Sequence, residues 1–460
     1  MEPIIAYPKF TKEMMSTYKI LIPNMAPIHF GMMSEAMRDA GYHVEVLQNS
    51  GHEVAQEGLK YVHNDTCYPA LLVIGQFIDA LKSGRYDLNH TALLITQTGG
   101  GCRASNYIHL LRKALVKAGF GQVPVASLNF SGLEKDSGFQ LTLPLLRKVI
   151  SSVFYGDALM ALANQTRPYE NTKGAADALI AKWQALVAKQ FDANRGVSKK
   201  DLAVNFAAIA ADFAAVPVTR TPKVKVGVVG EIYVKYSPLG NNELELFLQG
   251  QDCEVNLPGL MGFVQYCIAN MSETVSLYGG SKPVAWVSER CMDYLSKREK
   301  LLCAAIARYP QFHVPTLFLD TKKMAKGVIG YGNKMGEGWL LTAEMMELQS
   351  TGFENIVCAQ PFGCLPNHIC GKGMINKIRT IYPHANITPI DYDPGATCVN
   401  QENRIKLMLS VAKERLDGAS GGSGHGGGVP VAQSAPLYGT VDTAPVAVPS
   451  LGFEAIPAHA

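Results

Sequence analysis

Short, fully apolar runs alternate with stretches of helical spacing along the first third of the chain. Tyr18–Pro23 (YKILIP), His43–Leu47, Ala92–Thr96 (ALLIT) and Val123–Leu128 read as strands. Between them, Phe30–Ala40, Pro69–Leu81, Ser105–Ala118 and Leu141–Tyr155 carry apolar residues three and four apart, the period of a helix with one buried face. A strand that is apolar at successive positions is covered on both faces. Strands separated by helices are joined by crossovers and not by hairpins. Together these patterns predict a parallel sheet in a doubly wound α/β layer.

From about Asp157 to Val216 the pattern changes. This stretch is rich in Ala and Lys, with helical spacing in Ala175–Phe191 and Leu202–Ala215, and reads as a helical connector. Alternation then restarts. Val224–Val229, Cys253–Asn256, Asn355–Val357 and Asn386–Ile390 are predicted strands. Glu243–Gly250, Gly259–Met271, Cys291–Ala307, Glu337–Gln349 and Asn400–Leu416 are predicted helices. The expected organisation is an N-terminal α/β domain (1–156), a helical connector (157–220), a C-terminal α/β domain (221–417) and a tail (418–460). The tail is Gly/Ser-rich and then Ala/Pro/Val-rich. It is expected to be disordered, with a short docking segment around Leu451–Ile456.

The length, 460 residues, exceeds what one hydrophobic core sustains, in keeping with two α/β domains. A hydrophobic fraction of 47% with 18% charged residues excludes a natively unfolded chain. The formal net charge of +3 leaves no electrostatic footprint for nucleic acid. No apolar run reaches 18 residues, so no transmembrane helix is expected. The first 19 residues include Glu2 and Glu13 and lack the apolar stretch of a secretory signal. A cytoplasmic, reducing location is expected, where clustered thiols bind metal more often than they form disulfides.

That expectation gives weight to the ten cysteines. Cys253, Cys267, Cys291 and Cys303 fall inside strand or helix patterns beside apolar neighbours and read as small core residues. The other six lie in turns. Cys67 sits in His63–Pro69 (HNDTCYP) at a helix start, and Cys102 in Thr96–Asn106 (TQTGGGCRASN) past an apolar strand. Cys358, Cys364 and Cys370 lie in CAQPFGCLPNHIC, and Cys398 in DYDPGATC past the last strand. Open parallel sheets bind ligands outside the carboxyl ends of their strands, and most of these segments belong on that edge. Gly99, Gly100 and Gly101 would let backbone approach a bulky group, and N–H groups there and at helix starts favour an anionic one. The chain has no paired C-x2-4-C spacing of a structural zinc site. Dispersed, cysteine-only ligation suits an iron–sulfur cluster instead. No G-x-x-x-x-G-K-[ST] loop, no G-x-G-x-x-G after a first strand and no G-x-S-x-G elbow occurs, so nucleotide binding of the usual kind and acyl hydrolysis have no support.

Several longer strings carry a resemblance. Asn64–Ala70 (NDTCYPA), Thr96–Tyr107 (TQTGGGCRASNY), Gly230–Asn242 (GEIYVKYSPLGNN), Gly336–Glu347 (GEGWLLTAEMME), Cys358–His368 and Asp391–Ile405 (DYDPGATCVNQENRI) resemble the 2-hydroxyacyl-CoA dehydratase subunit superfamily. They are most similar to its activase-related and double-cubane-cluster branch. In order, they span most of residues 17–412. The resemblance implies two flavodoxin-like (Rossmann-type) domains with an iron–sulfur cluster in the cleft between them, in a protein of anaerobic chemistry. It implies a separate ASKHA-type ATP-dependent activator that delivers low-potential electrons, because no activator module is fused to this chain. A homodimer acting on a small-molecule substrate is the expected assembly. Six turn cysteines match an 8Fe–9S double cubane, three to each cubane. Ligation by Cys67, Cys102, Cys358 and Cys364 alone would instead give a single 4Fe–4S cluster.

Beside such a cluster, Arg103 and Lys372 are candidates to offset its charge, against the plain reading of surface cations. His368 is a candidate proton or hydrogen-bond donor, against that of a turn histidine bonded to backbone. Glu231 and Lys235, past the first strand of the second domain, are candidate proton-transfer or substrate groups, against that of an ordinary ion pair. The favoured function is an iron–sulfur oxidoreductase or electron-transfer protein. The alternatives are a 2-hydroxyacyl-CoA dehydratase component and a non-catalytic, cluster-bearing scaffold subunit tethered through its tail.

Overall fold

Eight strands form, at the places where the apolar runs predict them, in a computed structural model that describes residues 7–63, 65–97, 101–129 and 138–420. The strands are β1 (Lys19–Ile22), β2 (His43–Val46), β3 (Thr91–Gln97), β4 (Val125–Asn129), β5 (Val224–Gly230), β6 (Cys253–Asn256), β7 (Asn355–Pro361) and β8 (Asn386–Tyr392). In the first half the helices are α1 (Pro27–Asp39), α2 (His52–Tyr61), α3 (Tyr68–Lys82), α4 (Tyr107–Lys117), α5 (Leu143–Thr166), α6 (Ala175–Asp192) and α7 (Lys199–Ala214). The second half adds α8 (Ile232–Tyr236), α9 (Pro238–Asn241), α10 (Leu244–Gly250), α11 (Leu260–Tyr278) and α12 (Lys282–Ile306). They are followed by α13 (Phe318–Met324), α14 (Gly338–Ser350), α15 (Ile375–Ile381) and α16 (Cys398–Ser420).

The strands make two four-stranded sheets, ordered β2-β1-β3-β4 and β6-β5-β7-β8, and every pairing is parallel. The protein is thus α/β, and each sheet has the flavodoxin-like order 2-1-3-4. The order reverses between β1 and β3 in one sheet and between β5 and β7 in the other. Those reversals open crevices at the carboxyl ends of the strands. The central strands are covered on both faces, as their composition demands. Ile20, Leu21, Ala92, Leu93, Val226 and Val229 are fully buried.

Several boundaries differ from the sequence reading. β7 continues to Pro361, four residues past the expected end, because buried Gln360 is matched by Asp391 of β8 (Nε2 to Oδ1, 2.6 Å). α2 has no counterpart in the prediction, since it buries only Val54, Ala55 and Gly58. α5 runs unbroken across position 156/157, and residues 418–420 complete α16. The tail and its docking segment otherwise lie outside the described residues. No described helix is long and apolar enough to cross a membrane.

Residues up to Asp417 form one compact unit. A single core cluster takes in Ile20 and Leu93 of the first sheet, Phe154 and Leu159 of α5, Phe206 of α7, and Val226 and Val255 of the second sheet. α5 to α7 therefore fill the space between the sheets. Asp157 of α5 holds this arrangement from inside. It bonds His29 Nε2 of α1 (2.9 Å) and accepts the N–H groups of Leu260 (2.7 Å) and Met261 (3.0 Å) at the start of α11.

α3 is positioned by an unusually close crossing with α2. A Cβ built on Gly58 would lie 2.2 Å from the Leu71 carbonyl oxygen, and one on Gly75 would lie 2.1 Å from that of Val54. Backbone cannot yield as a side-chain tip can, so a methyl group here pushes the helices apart. Gly75→Ala should lose about 3 kcal/mol of stability in urea unfolding. Gly250→Ala, where a Cβ meets nothing within 4 Å, should change it by less than about 1 kcal/mol.

Candidate metal centre

The candidate centre is built from the turns that follow β3, β5 and β7 and from the start of α3. β5 ends on Gly230, whose φ is +152° and whose Cβ position would fall 1.8 Å from the Ala359 carbonyl oxygen of β7. Only glycine fits there. The next residue, Glu231, is thereby placed at the sheet edge. Its N–H bonds the same Ala359 carbonyl (3.1 Å) and its carboxylate caps α8 at the Val234 N–H (2.8 Å). Cys67 is the N-cap of α3, followed by Pro69 in the first turn. Cys102 is the N-cap of the short 3₁₀ turn Arg103–Asn106 that leads into α4. Cys364 follows β7, its N–H held by the Pro361 carbonyl (3.1 Å), and precedes the helical segment 365–371.

These three thiols share one electrostatic neighbourhood. Burial pushes the Cys67 thiol up to about 12, with Glu231 and Cys102 adding in the same direction. Burial likewise raises Cys102 to about 11, with Glu337 and Glu231 contributing. The Cys364 thiol is also raised, first by burial and then by Glu337. First-turn N–H groups pull the other way: Ala70 on Cys67, Ala104 and Arg103 on Cys102, and Asn367 on Cys364. Such donors favour the thiolate. Cys67 Sγ also lies 3.1 Å from the buried Tyr107 hydroxyl.

Two carboxyl groups stand among the sulfurs. Glu231 is pushed up to about 8, by burial and then by the charge of Glu337. Glu337, itself raised by burial, accepts from the Ile232 N–H (3.0 Å) and from Asn367 Nδ2 (2.9 Å). The same Nδ2 lies 3.3 Å from Cys364 Sγ. Asn367 Oδ1 is buried without a partner among the described residues. Met335 Sδ accepts the Gly101 N–H (3.3 Å), so the turn after β3 meets the segment leading into α14.

The other predicted residues lie inside elements, in ion pairs or at the surface, although Cys358 and Cys370 also feel the charge of Glu337. Cys358 lies inside β7, fully buried in an apolar cluster with Leu341, Met345 and Ile378, and not in a turn as expected. Cys370 is buried in the short π-helical segment Asn367–Gly371. Burial raises its thiol to about 11, and Glu337 adds to the effect. Cys398 is exposed at the start of α16 and donates to Glu402 on its own helix (3.3 Å). Lys235 is buried and donates to both oxygens of Glu344 (3.0 Å each), an ion pair whose partner is not Glu231. His368 Nδ1 bonds the Cys364 carbonyl (2.8 Å), as a turn histidine does, while its Nε2 and the Lys372 ammonium face Asp391 at 3.7 and 4.0 Å. Arg103 is exposed. Gly99 and Gly100 lie outside the described residues.

Of the four cysteines read as core, Cys253 is buried and Cys303 half-buried, donating to the Pro315 carbonyl (3.3 Å). Cys267 and Cys291 are exposed, a correction that follows from the one-sided packing of α11 and α12. Cys267 has a further property that its helical pattern conceals. Although the residue as a whole is exposed, the surroundings of its sulfur raise the thiol to about 12, first by desolvation and then by the charge of Glu337.

Among the described residues, no three His, Cys, Asp or Glu side chains are grouped to hold a single metal ion. A polynuclear cluster is wider than one ion and takes ligands from well-separated sulfurs. The donor set fits such a group: soft sulfurs from separate turns, each with N–H donors beside it. No family model matches the chain, and no curated protein matches it.

Glu337, Glu344 and Glu347 extend the acidic character along one stretch of α14, whose residues Gly338–Gln349 are all buried. Glu347 is pushed up to about 7 by burial and accepts from Thr316 Oγ1 (2.7 Å). Between about pH 5 and pH 7 the folded chain therefore keeps a proton on Glu347 that the unfolded chain releases, and stability falls as pH rises through that window. Glu347→Gln should remove about 2–3 kcal/mol of that fall, read as the difference between variant and wild-type urea unfolding at the two pH values. Lys235→Met should cost about 3–5 kcal/mol by stranding the Glu344 carboxylate. Lys235→Met with Glu344→Met should recover most of that loss, whereas a substrate-binding Lys235 would show recovery of stability without recovery of activity.

Proposed function

We propose that the chain is an iron–sulfur oxidoreductase or electron-transfer protein with its cluster in the cleft between the two sheet edges. The observation that carries the reading is that Cys67, Cys102 and Cys364, at the ends of separate elements, all feel the charge of Glu231, with Glu337 acting on the last two. The resemblance to the activase-related and double-cubane branch of the dehydratase superfamily supports it. Cys67, Cys102 and Cys364 would hold the cluster, with Cys370 and Cys267 the neighbouring thiols able to complete its ligation. When bound, such a cluster supplies one-electron transfer at low potential. The electrons would come from a separate ASKHA-type ATP-dependent activator and pass to a small substrate or a partner protein.

The chain's own groups have definite tasks in this scheme. The N–H groups of Ala70, Arg103, Ala104 and Asn367 offset negative charge on the sulfurs. Glu231, protonated near neutrality, can give a proton to an acceptor in the cleft at its carboxyl oxygen. Asn367 fixes Glu337 and orients Cys364. A second reading, a 2-hydroxyacyl-CoA dehydratase component, gains from one specific observation. Cys358 lies inside the β7 core and Cys398 is exposed and bonded to Glu402, while Cys67, Cys102 and Cys364 all feel the charge of Glu231; three is the number that holds a single cubane with an open iron in the family that this chain resembles.

Iron and sulfide analysis with EPR on anaerobically purified protein tests the proposal. About four of each per chain is expected for one cubane, and about eight iron for the double cubane. Cys67→Ser, Cys102→Ser and Cys364→Ser should each lose most of the iron while keeping the wild-type circular dichroism, and Cys398→Ser should keep it. Protein free of iron and sulfide under these conditions would overturn the reading.

A further inference from the structure

A cavity of about 110 Å³ lies between α5, α12, α14 and the turn after β6. Its apolar walls include Phe154, Met160, Leu302 and Phe353. Four carboxylates also line it: Asp157, Glu299, Glu344 and Glu347. Three are engaged at both oxygens. Asp157 is held by His29 and the start of α11, and Glu344 by Lys235. Glu299 accepts from the Phe318 N–H (2.7 Å) and Gln265 Nε2 (3.2 Å). Glu347 differs, because only its Oε1 has a partner, Thr316 Oγ1.

The lining also holds an unsatisfied donor. Asn164 is 2% exposed, and its Oδ1 accepts from Arg167 Nη1 (2.8 Å), which fixes the orientation of the amide. Its Nδ2 is buried and has no partner among the described residues. His313 Nε2, in the same lining, is likewise buried and unpartnered. A buried donor left unpaired costs about 1–3 kcal/mol, which a bound molecule can recover. No Lys or Arg lines the cavity among the described residues, and the carboxylates exclude an anion.

We infer that this cavity binds a small amino alcohol or amino amide as its ammonium ion, with the ammonium on Glu347 and an oxygen acceptor on Asn164 Nδ2. The volume accommodates a molecule of a few heavy atoms. Ethanolamine matches both ends. Ethylene glycol keeps the size and loses the charge, and glycolate reverses it.

Calorimetric titration of the full chain at about pH 8.5, above the raised value of Glu347, tests the inference. Ethanolamine should bind saturably at one site, at least about tenfold more tightly than ethylene glycol, with no binding of glycolate. Glu347→Gln, nearly isosteric and able to keep the Thr316 bond, should weaken ethanolamine by at least about tenfold. Asn164→Leu should bring ethanolamine down to the affinity of propylamine. The probe series on the wild-type chain needs no variant to fold. Equal binding of all three probes, absence of binding to any, or wild-type affinity in Glu347→Gln would each overturn the inference. Absence of binding would leave water as the cavity's only occupant.

Discussion

One buried carboxylate holds the two halves of this protein in a common frame. Asp157 lies on the helix between the sheets and receives a histidine from the first half and two backbone N–H groups from the second. The N–H groups belong to the start of α11, where the helix dipole also favours negative charge. A charge placed so deep must be fully hydrogen-bonded or it becomes a large penalty, so the three donors cannot move apart independently. The consequence reaches the cleft. Each sheet has its own reversal of strand order, but a shared site requires the two carboxyl edges to approach each other, and α5 with its carboxylate sets that approach.

The interior around α14 is unusual in its balance of charge. Glu231, Glu337, Glu344 and Glu347 all have raised pKa values from burial, and Lys235 is paired with only one of them. In a low-dielectric interior such a set cannot ionise together, and part of it is held neutral at physiological pH. Of this set, Glu231 and Glu337 act on the thiols of Cys102 and Cys364. Buried carboxyl groups held partly neutral are an uncommon arrangement for a purely structural core.

Much of the architecture was legible in the sequence because both sheets are buried on both faces. Runs such as YKILIP and ALLIT have no other reading between helices of one-sided character. What escaped depended on partners distant along the chain. Gln360 and Pro361 read as a loop, yet Asp391 of β8 satisfies Gln360 inside the sheet, and the strand therefore carries Cys358 into the core. Lys235 looked like a reactive group because Glu344, its partner, lies 109 residues away on another helix. Cys267 was indistinguishable from a core residue on helical spacing alone, and only the structure shows it exposed on α11 and within the influence of Glu337. α2 was invisible for the opposite reason, since three buried positions do not make a pattern.

The raised thiol values have a consequence for the reactivity of the chain itself. Cys67 and Cys102, held at about 12 and about 11, are almost wholly protonated at neutral pH. Oxidants and electrophiles react with the thiolate, so these sulfurs are slow to form sulfenic acid or mixed disulfides. The burial that makes the acids and thiols reluctant to ionise thus works as a chemical shelter. The folded chain thereby protects these cysteines from oxidation, and any cation would have to displace their protons to engage them.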